Sequence, residues 1–248
     1  MVKESYTPAG NNLTVIIVAA GRGTRFGSPT PKQFLPLRGK PVVVHALEAF
    51  STVFPGAKLI LVLDPVDGER YWNDAVSTYH GKEPLIVHGG ASRTESVYNA
   101  LKTAAQQGFE NGDIVMIHDG ARPIVNHDMI RRLYGVVANN PNTHAALPCY
   151  LPTEAVGVFE DGKLKPVARS GYRSVQTPQT FDAVILVDCY ERMMNDHAAE
   201  FDDDAAVFSK YSGYSISCID GDRNNIKITR PDDIRIAEIL SDAIHRQV

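Results

Sequence analysis

Short apolar runs alternate with helix-period segments through the first half of the chain. Residues 13–18 are almost wholly apolar and predict a buried first strand. Further strands are expected at 57–63, 85–87 and 113–117, and helices at 41–50, 67–79, 93–107 and 128–139. Such alternation predicts an α/β, doubly wound domain with a mostly parallel sheet and helices on both faces. Ligands of these sheets bind at the carboxyl ends of strands, where the loops after Val18, Val87 and Ile117 fall.

The rhythm changes after Asn140. Residues 145–148 are apolar, then 154–159 and 163–168 read as two strands around Asp161-Gly162, a hairpin signal. A hairpin that interrupts βα units predicts a projecting arm, roughly 149–170, whose exposed edges pair with a second copy of the chain. Residues 174–181 read as a polar turn. Helices return at 183–195 and 203–211, followed by a strand at 214–219 and a last helix at 231–246. The whole chain, 1–248, reads as one domain carrying this arm.

Composition narrows the picture. With a net charge of -4, no basic excess advertises nucleic acid. Cys149, Cys189 and Cys218 are odd in number and form no metal spacing, which predicts reduced thiols in the cytoplasm. The first twelve residues are polar and do not resemble a signal peptide, and no apolar run approaches the ~20 residues of a membrane span.

The loop after the first strand carries the strongest chemistry. Ala19, Ala20, Gly21 and Gly23 remove side-chain bulk, while Arg22, Arg25 and Lys32 bring cations to the same stretch. A backbone that can approach closely, with cations beside it, suits a triphosphate. No Gly-Lys-Ser/Thr follows, and the glycines are not spaced as in dinucleotide-binding proteins. The plain alternative is a strand-to-helix turn with solvated cations.

Other segments carry both a chemical and a plain reading. Asp119, after an apolar run, suits a hard divalent cation bridging phosphates, or simply caps a turn. Arg122 then pairs with it, and His118, without a partner histidine, reads as a packed, hydrogen-bonded residue. Gly89 to Ser96, with Gly90 and Arg93 between them, suits a base and ribose, or a glycine turn with an N-cap. Asp202, Asp203 and Asp204 need a nearby cation or mark a helix start. Lys227, between Ile226 and Ile228, either faces inward to an anion or alternates out to water on a strand.

Together the blocks 19–33, 89–96, 118–123, 176–181 and 225–233 resemble, in order, the cytidylyltransferases acting on 2-C-methyl-D-erythritol 4-phosphate, with their relatives acting on ribitol 5-phosphate. The resemblance spans about 13–240 and implies a Rossmann-like nucleotidyltransferase fold. It implies that Arg25, Lys32 and Lys227 are catalytic, and that Arg25 and Lys32 neutralise the triphosphate. The backbone at Ala19, Ala20, Gly21 and Gly23 would then cradle it. The loop with Gly89, Gly90, Arg93 and Ser96 takes the cytidine, and Asp119 holds Mg²⁺. Asp203 and Lys227 lie near the acceptor phosphate, which Arg169 reaches from the neighbouring subunit of a homodimer.

The chain departs from the family on the arm. An acid, then Thr or Ser, then a basic residue two further on is usual, and Glu154, Ala155 and Gly157 stand at those positions. Thr153 replaces the hydroxyl if the hairpin shifts by one residue, although such a shift flips every side chain. Ala168 precedes Arg169 where Asp is common. The expected activity is Mg²⁺-dependent transfer of CMP from CTP to a polyol phosphate, first to methylerythritol 4-phosphate. The rivals are ribitol 5-phosphate as acceptor, a uridylyl- or thymidylyltransferase, and a nucleotide-binding protein without catalysis.

Overall fold

A computed structural model describes residues 10–21, 23, 26–196 and 201–245. The strands of the first half are β1 (Leu13–Ala19), β2 (Pro36–Leu37), β3 (Lys40–Pro41), β4 (Lys58–Leu63), β5 (Leu85–His88) and β6 (Ile114–Asp119). The helices among them are α1 (Val42–Val53), α2 (Gly68–Ala75), α3 (Arg93–Ala105) and α4 (His127–Ala138). The second half holds β7 (Ala145–Tyr150), β8 (Val156–Glu160), β9 (Lys163–Val167), β10 (Ser174–Val175), β11 (Gln179–Asp182), α5 (Ala183–Asn195), α6 (Asp204–Ser212), β12 (Ser217–Asp220) and α7 (Asp232–His245).

The central sheet runs in the order β10-β7-β11-β6-β1-β4-β5, with β12 also paired to β7. Strand pairs β1–β4, β1–β6, β4–β5 and β7–β12 are parallel, whereas β11 is antiparallel to both β6 and β7. Alternation along each buried strand divides the core in two. Val15, Ile17, Leu59, Leu61, Ile114 and Met116 pack with α1, α2 and α4 on one face. Ile16, Ile60, Val62, Val115 and Ile117 pack with α3, α5 and α6 on the other. Truncating a fully buried residue such as Leu61 to Ala costs about 2–5 kcal/mol.

The polar stretch 174–181 is not a turn: it supplies β10 and the central strand β11. Periodicity missed β11 because Gln179 and Thr180 are polar yet 1% and 0% exposed. Gln179 is affordable there because its amide is fully engaged with α6. Its Nε2 donates to Asp203 Oδ2 at 2.9 Å, and its Oε1 accepts from the Ala205 N–H at 2.9 Å. Helix α2 ends at Ala75, and Val76–Thr78 continue as a single 3₁₀ turn rather than as helix to residue 79. Residues 225–230 form no strand, and β12 is confined to Ser217–Asp220.

The hairpin β8–β9 pairs with no other strand among the described residues, as a projecting arm must. Asp161 and Gly162, with φ of 49° and 75°, make its turn. Phe159 and Leu164 face each other across the ladder and are 72% and 67% exposed.

Candidate nucleotide-binding active site

A cavity of about 810 Å³ opens at the carboxyl ends of β1, β4, β5 and β6. Ala19, Ala20, Gly21, Gly23, Lys32, Gly89, Gly90, Arg93, Ser96, Asp119 and Lys227 all line it. Arg25 and its neighbour Arg22 lie outside the described residues. Ala91 and Ser92 of the 89–96 loop line the cavity as well, as do Phe26, Gln33, Asp64, Pro65 and Thr229, to which sequence reasoning gave no role. Asp64 and Pro65 follow β4, and the rule that ligands sit at strand carboxyl ends would have found them.

The first wall is the loop after β1. Gln33 is buried and its Nε2 donates to the carbonyls of Ala19 at 2.5 Å and Gly21 at 2.9 Å, which fixes the loop's path. Gly23 has φ of 62°, and a Cβ there would lie 3.6 Å from the Lys32 stem. That is ordinary van der Waals contact, so the positive φ rather than lack of space favours glycine here.

The second wall is the β5–α3 loop. A Cβ on Gly89 would meet Ala20 Cβ at 2.5 Å and Ser96 Oγ at 2.8 Å, so only glycine lets the two loops approach this closely. Ser92 is the N-cap of α3: its hydroxyl accepts from the Glu95 N–H at 3.0 Å. Ser96 Oγ accepts from the Gly90 N–H at 3.0 Å and donates to Ser92 O at 2.7 Å. Glu95 accepts from the Ala91 N–H at 2.7 Å, and the Gly89 N–H donates to Leu63 O at 2.8 Å. The glycine-turn reading and the binding reading thus describe one feature, because the internal bonds shape the wall.

Asp119 ends β6 at the cavity floor. Lys227 Nζ lies 3.0 Å and Arg122 Nε 3.2 Å from its Oδ2, while Arg93 Nε lies 3.6 Å from its Oδ1. Burial alone pushes the Asp119 pKa up. Lys227, Arg93 and Arg122 together outweigh burial and hold the carboxyl far below the usual carboxylate range. Lys227 therefore has the inward anion its sequence position asked for, and Arg122 pairs with Asp119 as expected.

A hydrogen-bond chain holds this carboxylate in place. The Asp119 N–H donates to Thr177 Oγ1 at 3.1 Å. The Thr177 hydroxyl lies 3.0 Å from His118 Nδ1, and His118 Nε2 lies 3.1 Å from the Arg122 carbonyl. A carbonyl can only accept, so Nε2 carries the proton and Thr177 donates to Nδ1. Burial lowers the His118 pKa to about 4, with weaker opposition from the Arg122 carbonyl and Asp119, so the ring is neutral. His118 is the packed histidine the sequence suggested. Arg122 also donates to Asn225 O at 2.7 Å, which links the segment carrying Lys227 to the same turn.

Arg93 is fixed from below by Asp204, a fully buried residue the sequence reading grouped only with its acidic neighbours. The pair is bidentate, at 3.0 and 2.8 Å, and Tyr190 donates to the same carboxylate at 2.5 Å. Burial opposes the charge on Arg93, but Asp204 and Asp119 prevail and raise its pKa. Asp203 does not reach the cavity. It caps α6, accepting from the Ala206 N–H at 2.9 Å. Arg169 and Thr153 lie at the base of the arm, outside the cavity lining, and Arg169 donates to Thr153 O at 2.6 Å.

No group of three His, Cys, Asp or Glu side chains among the described residues could hold a metal. Asp119 alone fits an ion that takes one carboxylate and draws its other ligands from phosphates and water, as Mg²⁺ does.

A sequence profile described as IspD, 2-C-methyl-D-erythritol 4-phosphate cytidylyltransferase, matches residues 13–242. A protein of that name from Phocaeicola vulgatus is 38% identical over 230 residues, covering 92% of this chain and 99% of its own. The solved structure of the Francisella tularensis 2-C-methyl-D-erythritol 4-phosphate cytidylyltransferase is 29% identical, with a TM-score of 0.76 over 92% of this chain and 99% of its own. A 4-diphosphocytidyl-2C-methyl-D-erythritol synthase from Anaerococcus prevotii shares the fold, with a TM-score of 0.77 at 23% identity over 93% of this chain and 96% of its own.

Proposed function

The chain belongs to the 2-C-methyl-D-erythritol 4-phosphate cytidylyltransferase family, and from that membership we propose that it transfers CMP from CTP to methylerythritol 4-phosphate, releasing pyrophosphate. The carrying observation is the convergence of Lys32, Arg93 and Lys227 with two glycine-bearing loops on one cavity at the strand ends. A phosphate oxygen of the acceptor attacks the α-phosphorus of CTP, and the bond from that phosphorus to the bridging oxygen of pyrophosphate breaks. A phosphate monoester dianion is already nucleophilic near neutral pH, so the step needs positioning and charge stabilisation rather than a base.

Lys32 and Lys227 supply that stabilisation, and Arg25 joins them on the resemblance alone. Asp119 holds Lys227, Arg93 and Arg122 at fixed separations. Asp119 would also be the protein's ligand to Mg²⁺, which when bound neutralises phosphate charge. Gly89, Gly90 and Ser96 shape the wall that receives the cytidine. Arg169 completes the reading at the acceptor end, whereas Asp203 serves as the cap of α6.

The reading extends to a homodimer joined through the arm, in which Arg169 of one copy serves the cavity of the other. The exposed Phe159–Leu164 pair supports it. The reading extends also to a cytoplasmic location, which the three free thiols support. The test is pyrophosphate release from CTP and Mg²⁺ with methylerythritol 4-phosphate beside ribitol 5-phosphate. Preference for the first is expected. Preference for ribitol 5-phosphate, which the arm residues Ala155 and Gly157 would then explain, overturns the acceptor.

A further inference from the structure

Lys227 sits on a segment that no strand or helix holds in place. β12 ends at Asp220, and residues 221–230 form neither. Beyond Lys227 the segment is tied by the Ile228 N–H, which donates to Ala121 O at 2.8 Å. Before it, Gln176, the residue after β10, does what a neighbouring strand would do. Its Oε1 accepts from the Asp222 N–H at 3.1 Å, and its Nε2 donates to Asp222 O at 2.7 Å and to Asn225 O at 3.2 Å. Gln176 is 4% exposed, and its own N–H anchors it to the sheet, donating to Pro148 O of β7 at 2.9 Å. Gly221 makes room for the amide, since a Cβ there would meet Gln176 Oε1 at 2.5 Å. Asn225, fully buried, adds a second tie: its Nδ2 donates to Thr177 O at 2.7 Å. A buried backbone bonded by side chains rather than by a strand has its path set by those side chains. Neither Gln176 nor Asn225 lines the cavity.

We propose that Gln176 is a positioning residue for the transfer step: its amide, with that of Asn225, fixes the path of residues 221–228 and so keeps the Lys227 ammonium beside Asp119 at the cavity floor. Gln176 acts through Lys227. A loosened backbone at this point lets a long lysine, 38% exposed, swing toward water, and catalysis falls steeply when a group is misplaced by about 1 Å. The walls that receive the nucleotide are the loops after β1 and β5, which Gln176 does not bond, so nucleotide affinity is independent of it. The inference rests on the reading of Lys227 as a cation that stabilises the transfer.

The test compares the wild type with Gln176→Met, which keeps the length of the side chain and removes the amide, with Lys227→Ala, and with the double variant. Gln176→Met should lower kcat about 10- to 100-fold while the KM for CTP stays within about twofold. The double variant should be no slower than Lys227→Ala alone, within about twofold, because two changes that disable one group do not add. Losses that multiply, an unchanged kcat, or a KM for CTP that rises as much as kcat falls overturn the proposal. Gly221→Ala keeps the amide and only crowds it, so it should show the same pattern, and it carries the test if Gln176→Met does not fold. A crystal structure of either ligand-free variant beside the wild type needs no substrate: Lys227 Nζ should leave its 3.0 Å contact with Asp119. A displaced lysine in a protein that turns over neither polyol phosphate upholds the positioning role and overturns only the transfer reading. A lysine unmoved in the variants overturns the proposal itself.

Discussion

Replacing Asp119 with Asn keeps the shape of the cavity floor and removes its one central anion. Lys227 at 3.0 Å, Arg122 at 3.2 Å and Arg93 at 3.6 Å would then face one another across a neutral amide. At an effective dielectric of about 20, each attraction to Asp119 is worth roughly 5 kcal/mol before the cost of burying the charges. Lys227, whose side chain is 38% exposed, can swing into water, so its share is strongly screened. Arg122, 12% exposed, is tied to Asn225 O, and Arg93, 24% exposed, retains Asp204. The expected net loss therefore lies near the lower end of the range for breaking a buried pair, about 3 kcal/mol.

Urea unfolding of the ligand-free protein reads this directly, and the melting point should fall by roughly 6–12 °C. CTP should then stabilise Asp119→Asn more than the wild type, because the triphosphate supplies the missing anion. The Asp119 pKa is depressed in the folded state, so its stabilisation is full above the ordinary carboxylate range and is lost only on acidification below it. The variant should lack that acid loss. Stability within about 0.5 kcal/mol of wild type, with no added response to CTP, would refute the role of Asp119 as the anion that organises three cations.

His118 gives a second pH signature: its pKa falls to about 4 on folding, so protonation favours the unfolded chain, and stability should decline as pH drops from about 6.5 toward 4, by up to about 3 kcal/mol. His118→Gln should flatten that slope in chemical denaturation between those limits, and an unaltered slope assigns it to other groups. Gly89→Ala should cost about 1–3 kcal/mol and raise the KM for CTP more than that for the acceptor, since the new Cβ meets Ala20 and Ser96. A variant with normal stability and normal CTP kinetics would show that the loops need not approach so closely. Removing residues 154–168 should yield monomers in sedimentation, and a dimer that survives the deletion would rule out assembly through the arm.

The sequence by itself determined the layered α/β architecture. The fully buried strands β1, β4 and β6 read as near-continuous apolar runs, and the helices between them carry their own period. It also marked the two glycine-bearing loops, Lys32, Asp119 and Lys227, because unusual residue types at strand ends are legible without coordinates. Only tertiary structure decided that β11 is a strand, since its buried Gln179 is satisfied by α6 rather than by any local pattern. The same is true of Asp204 under Arg93, the His118–Thr177 support of Asp119, and Gln176 on Asp222. Those partners stand 111, 58 and 46 residues apart in the chain. A side chain's hydrogen-bond partner is fixed by where the fold brings it, and no local periodicity encodes a contact over that distance.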